Sequence, residues 1–131
     1  MNTTDSNGDE IVAALSKVPG FCNVRFILLF GSVAEGRAGP ASDIDLAIYY
    51  EGDQEEASLF RFQCLTALGS FRYDVTIFQQ LPLYIRIRTL RGKVVYCPDP
   101  SFLYDVAWDT IKEYNAFKHR LDDYTGEKAL S

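Results

Sequence analysis

Two apolar runs of strand length, Val24 to Phe30 (VRFILLF) and Ile44 to Tyr50 (IDLAIYY), flank a glycine-rich link that carries no helical pattern. Parallel neighbours in a sheet need a long crossover, usually through a helix, and this link supplies none. The first two strands therefore cannot start a standard doubly wound sheet. The expectation is an α/β (α+β) chain: a small mixed sheet flanked by helices.

The punctuation along the rest of the chain gives the order of elements. Residues 1–9 read as a disordered leader. Glu10 to Val18 (EIVAALSKV) fits a short amphipathic helix stopped by Pro19-Gly20. After the second strand, 51–56 reads as an acidic loop and Ala57 to Leu68 as a helix ending at Gly69. Arg72 to Phe78 (RYDVTIF) reads as a third strand. Pro82 suits the first turn of a helix over 82–90, with Gly92 past its end. Lys93 to Tyr96 is a short fourth strand. Ser101 can cap a last helix running to about Leu121, after which the chain turns polar and is expected to fray. The order is α-β-β-α-β-α-β-α, with one domain over 10–97 and a C-terminal helix and tail over 98–131.

Composition excludes some functions. A chain of 131 residues has room for one core. A net charge of −5 and a pI near 4.8 argue against a protein that grips a nucleic-acid backbone, which needs a basic surface to release counterions. They leave open a small charged substrate carried on metal ions. Cys22, Cys64 and Cys97 are far apart and form no CxxC pair, which argues against zinc and for free thiols in a reducing compartment. No apolar run reaches membrane-spanning length, and the first residues are polar and acidic, unlike a signal peptide. A cytoplasmic protein is the expectation.

The tripeptide Asp43-Ile44-Asp45 is the most informative chemistry. Side chains alternate along a strand, so Asp43 and Asp45 share one face while Ile44, Leu46 and Ile48 point to the core. Two carboxylates side by side repel unless a cation neutralises them. Oxygen-only ligands suit a hard divalent ion such as magnesium. Asp74 repeats the pattern on the third strand, with Val75 and Ile77 facing the core. If that strand neighbours the second, Asp74 completes a three-carboxylate site.

Gly31-Ser32 closes the first strand. A glycine there lets backbone approach a ligand, and the N–H groups that follow are natural phosphate donors. Taken singly, a DxD is also an ordinary solvated pair and Gly-Ser an ordinary turn. The segment is neither a Walker A loop nor a GxGxxG fingerprint, since no Gly-Lys-Ser/Thr follows and the glycine spacing differs.

Together, the stretch GSVAEGRAGPASDIDLAI, with FILLF before it, resembles the GS-x(10)-DxD signature of the DNA polymerase β-like nucleotidyltransferase superfamily. The resemblance covers about residues 10–97. The segment LPLYIRIRTLRGKVVY is similar to the usual ending of the stand-alone minimal nucleotidyltransferases. The resemblance implies a polymerase β-like palm fold. It implies that Gly31 and Ser32 hold the β- and γ-phosphates of ATP and that Asp43 and Asp45 bind two magnesium ions. Asp74 would bind the catalytic ion and help activate the acceptor hydroxyl. Arg37, in the spacer, either reaches a phosphate or is a solvated loop charge.

Small acidic members of that family are often antitoxins of the MntA type. They pair with a HEPN-type ribonuclease toxin, and some transfer AMP to a toxin tyrosine. A HEPN-type partner is therefore expected here, with a homo-oligomer also open and no direct nucleic-acid substrate. Two other functions stay in play: an antitoxin that works by binding without catalysis, and a nucleotidyltransferase for a small molecule of the aminoglycoside kind. Arg86, Arg88 and Arg91 are either a solvated helix face or a contact for nucleotide or partner. The apolar face of the last helix, from Phe102 to Leu121, either covers the sheet or extends outward, with Trp108 suited to anchor an interface. His119, the only histidine, is expected at the surface.

Overall fold

Strand β1 (Val24–Phe30) pairs antiparallel with both β2 (Ile44–Tyr50) and β4 (Lys93–Tyr96), and β2 pairs in parallel with β3 (Tyr73–Ile77). The result is a four-stranded mixed sheet in the order β3-β2-β1-β4, as the short first link requires. The structure is a computed structural model. It describes residues 3–31, 43–69 and 72–130, with side chains between residues 8 and 121. The helices are α1 (Thr3–Leu15), α2 (Gln54–Leu68), α3 (Leu83–Leu90) and α4 (Pro100–Leu130). Among the described residues, no helix is long and apolar enough to cross a membrane.

The period-two pattern of the strands sorts the core into two halves. On one face Ile27, Leu29, Leu46, Ile48, Val75 and Ile77 are buried against Ile11 and Leu15 of α1 and Phe60 and Cys64 of α2. On the other, Phe26, Leu28, Ala47 and Phe78 pack with Leu90 of α3 and Phe102, Leu103 and Val106 of α4. A methyl group added to Gly92 would collide with the Leu29 carbonyl, so only glycine lets the turn after α3 pass this close to β1. The Thr76 hydroxyl donates to the Leu46 carbonyl at 2.9 Å and pins β3 beside β2.

Three helices depart from the sequence expectation, each for a local reason. The first, α1, begins at Thr3, inside the stretch expected to be a disordered leader. It packs across β4, where a Cβ on Gly8 would meet Val95 at an ordinary contact distance of 3.8 Å. Helix α2 begins at Gln54, inside the expected acidic loop. Asp53 accepts a bond from the Glu56 N–H at 2.8 Å, and the Glu56 carboxylate accepts one from the Asp53 N–H at 3.1 Å, which makes a capping box. Helix α4 is capped by Asp99, not Ser101. Pro100 lacks an N–H and suits the first helical position, so the Ser101 N–H donates back to the Asp99 carboxylate at 3.1 Å.

Helix α4 also continues to Leu130 instead of fraying after Leu121. Its 31 residues make a rod of about 46 Å, roughly twice the length of a seven-residue strand. It starts at the beginning of β1, where the Arg25 guanidinium lies 3.7 Å over the Phe102 ring and 3.7 Å from the Asp99 carboxylate. Phe102, Leu103 and Val106 cover the sheet. Further along, Phe117 is half exposed and Trp108 is 63% exposed, so the helix covers the sheet in its first turns and presents apolar side chains outward beyond them.

Candidate functional site

The site lies at the end of the sheet where β1 leaves and β2 and β3 begin. Phe30 is the register partner of Asp45, and Asp45 is the register partner of Asp74, so the three positions form one row across the strands. Asp43 stands just before β2, near enough for its charge to act on Asp45. Asp43 and Asp74 are exposed and Asp45 is half-buried, while Ile44, Leu46 and Val75 between them are buried.

At the end of β1, Gly31 is buried and adopts a positive φ of 82°. A Cβ at this position would fall against the Asp45 carboxylate. Glycine thus serves twice here: it permits the left-handed backbone and leaves room for the acid. Ser32 and Arg37, which the sequence nominated as phosphate ligands, lie outside the described residues.

Electrostatics set Asp45 apart within the row. The Asp45 carboxyl is held above the usual carboxylate range, first by burial, then by the charges of Asp74 and Asp43, with Arg88 of α3 acting in the opposite sense. The donor set is oxygen-only, and excess negative charge on one strand face is what a hard divalent cation relieves. Among the described residues, no three acidic, histidine or cysteine side chains converge into a ready-made metal cage. The arrangement is an open carboxylate row. Magnesium, which keeps several of its waters and uses one or two carboxylates plus phosphate oxygens, fits that chemistry better than an ion needing a closed protein cage.

The arginines of α3 separate by helical period. Arg86 turns toward α4, its Nε donating to the Leu81 carbonyl at 3.1 Å and its Nη1 lying 3.6 Å from the Glu113 carboxylate. Arg88, two residues on and so on the opposite side of the helix, is exposed and acts on Asp45. At 3.6 residues per turn, Arg86 and Arg88 cannot belong to one patch. His119 is exposed on α4, as expected. Cys22, Cys64 and Cys97 are free thiols, and burial pushes Cys64 up to about 12, so it is chemically quiet.

The sequence and the fold both have counterparts among known proteins. The family model described as polymerase beta, nucleotidyltransferase, matches residues 9–101. Among solved structures, the chain resembles one from a toxin–antitoxin crystal structure with AMP-PNP at a TM-score of 0.71 and 19% identity, covering 95% of this chain and 99% of that one. It also resembles a chain from the complex of a tri-AMPylated Shewanella oneidensis HEPN toxin with an MNT antitoxin. That match has a TM-score of 0.66 and 17% identity and covers 96% and 98% of the two chains. At these identities the likeness is one of fold. A Methanocaldococcus jannaschii protein, named as a candidate protein adenylyltransferase, is 37% identical over 71 residues. The matched segment is 53% of each chain, so this chain matches about half the length of that relative.

Proposed function

This chain belongs to the polymerase β nucleotidyltransferase family, and on that premise we propose that it transfers AMP from ATP to a tyrosine hydroxyl of a HEPN-type toxin, acting as the antitoxin of a pair in the cytoplasm. The observation that carries the reading is the register of Asp74 against Asp45, with Asp43 just before β2 and Gly31 packed on the Asp45 carboxylate. The choice of AMP, and of a toxin as acceptor, is supported by what the similar proteins are named for: protein adenylylation, AMP-PNP, and an AMPylated HEPN toxin bound to an MNT antitoxin.

In this reading Asp43, Asp45 and Asp74 would hold two magnesium ions, which would supply charge neutralisation for the phosphates and the attacking oxygen. Gly31 and Ser32 present backbone and hydroxyl donors to the β- and γ-phosphates, and Arg37 adds a positive charge there. The acceptor oxygen forms a bond to the α-phosphorus as the bond from that phosphorus to the β-phosphate oxygen breaks. Pyrophosphate carries away the electron pair, and the hydroxyl proton passes to Asp74 and then to water. Phosphoryl chemistry of this kind depends on positioning and charge, so no nucleophilic side chain of the enzyme is required.

The test is to incubate the purified protein with magnesium and each α-labelled nucleoside triphosphate, with and without a co-encoded partner protein. Label on the partner from ATP alone, lost in the double variant Asp43→Asn/Asp45→Asn, is the expected result. Equal labelling by the double variant would overturn it. A partner that is bound and silenced without any label would favour neutralisation by occlusion, and label on an aminoglycoside would favour a small-molecule acceptor.

A further inference from the structure

Helices α3 and α4 leave a groove between them beside the carboxylate row. Two adjoining cavities, of about 320 Å³ and 370 Å³, share Ile87, Arg91 and Tyr114 as common walls. Tyr84 and Arg88 complete the first, and Ile111 and Lys118 contribute to the second. The groove is thus apolar at Ile87 and Ile111 and cationic at Arg88, Arg91 and Lys118. In a chain of net charge −5, that local excess of positive charge stands out.

The groove is continuous with the site. Arg88 lines it and is also the cation that acts on Asp45. On α3, Tyr84 lies one turn before Arg88, and Arg91 nearly one turn after it, so all three share a face. Helix α4 runs toward the same end of the sheet and continues beyond Lys118, with Phe117 half exposed. An occupant of the groove is therefore led toward Asp45 and Asp74.

Cavities of this size hold a few side chains of a bound segment. In the function proposed above Gly31 and Ser32 take the nucleotide phosphates, and the groove differs from a phosphate site in pairing its cations with an apolar floor at Ile87 and Ile111. An aromatic ring flanked by carboxylates matches both the floor and the cations.

We propose that the α3–α4 groove is the acceptor-docking site, holding an acidic, tyrosine-bearing segment of the protein acceptor with its carboxylates paired to Arg91 and Lys118 and its tyrosine led past Arg88 to the carboxylate row. The inference rests on the transfer reaction proposed above and deepens it by naming the chemistry of the acceptor. Arg88 is the shared element, and Arg91 and Lys118 belong to docking alone.

The experiment uses two short fluorescein-labelled peptides, each with one central tyrosine, flanked by glutamates in one and by lysines in the other. Binding is read by anisotropy, and AMP transfer by label from magnesium-ATP. The wild type is expected to bind the acidic peptide about tenfold more tightly and to label it with a correspondingly lower KM at similar kcat. The double variant Arg91→Glu/Lys118→Glu is expected to reverse that preference while ATP affinity and Tm stay unchanged. Absence of a preference in the wild type would overturn the proposal, as would a preference that survives the charge reversal. Loss of ATP affinity in the variant would also overturn it and make the groove a nucleotide site. A binding preference that reverses as expected, with neither peptide labelled, would leave docking standing and remove the transfer reading instead.

Discussion

The two faces of the sheet are built from the same strands and serve opposite ends. On the face under α1 and α2, Ile44, Leu46, Ile48, Val75 and Ile77 are buried in one continuous apolar cluster. On the opposite face the same strands carry Asp45, Ala47 and Thr76 in β2 and β3, and among the described residues the part beneath α3 and α4 is closed. Asp45 and Leu46 are adjacent in sequence, as are Asp74 and Val75, yet one of each pair is buried in the core and the other stands in the acidic row. A period of two residues lets stability and chemistry occupy the same strands without sharing side chains.

The sharpest test of that division is a neighbouring pair of substitutions. Asp74→Asn is expected to lower the transfer rate by roughly 10²–10³-fold, the scale of losing one electrostatic partner of a transition state, with Tm little changed. Leu46→Ala, at a position with no exposure, is expected to cost about 2–5 kcal/mol of stability and to leave kcat of the folded fraction near the wild-type value. Denaturant melts and single-turnover rates on both variants check this. A comparable loss of kcat in Leu46→Ala would break the comparison.

Gly31→Ala should fail on both counts, because position 31 belongs to the backbone of one face and the carboxylate of the other. The left-handed backbone costs an L-residue about 1–2 kcal/mol, and the added methyl displaces the Asp45 carboxylate. Stability and transfer should fall together, measured by thermal melt and by labelling. Full activity with reduced stability would show that the packing of Gly31 on Asp45 is not needed for transfer.

The smallest effect reports the charge itself. The Asp45 carboxyl is raised in the folded chain, so its contribution to stability is present below the ordinary carboxylate range and is lost as pH rises through its folded value. In EDTA at pH 7, Asp45→Asn is therefore expected to raise Tm by about 1–4 °C, the scale of relieving one like-charge contact in a domain of this size. The gain should vanish toward pH 3, and added magnesium should stabilise the wild type more than the variant. A lower Tm in Asp45→Asn at neutral pH would show that the acid is held by partners that outweigh its neighbours.

Where the sequence fell short, the missing signal was either overlooked or nonlocal. The bounds of β1, β2 and β4 follow from short apolar runs closed by glycine, an acidic turn or the Pro98 break, and they match the structure. The first turn of α2 was legible too, in Asp53 and Glu56 three residues apart, but a reading that starts a helix at its first apolar residue passes over a polar cap. The start of α1 was not legible, since a polar stretch carries no apolar period and α1 lies against α2 and β4, both distant in the chain. The reach of α4 past the sheet was partly legible, because its apolar period continues through Tyr114, Phe117 and Leu121. The polar composition after that hides how far the helix extends.

The sequence by itself determined which residues share a face. Alternation is a property of the extended backbone, so Asp45 had to face away from Ile44 and Leu46, whatever the sheet became. Only the tertiary structure decided that β3 lies beside β2, in parallel, with Asp74 across from Asp45. That register depends on Val75 and Ile77 reaching the same core as Leu46 and Ile48 through the α2 crossover. A slip of one residue would turn Asp74 into that core and Val75 out of it, and the burial of one face is what excludes the slip.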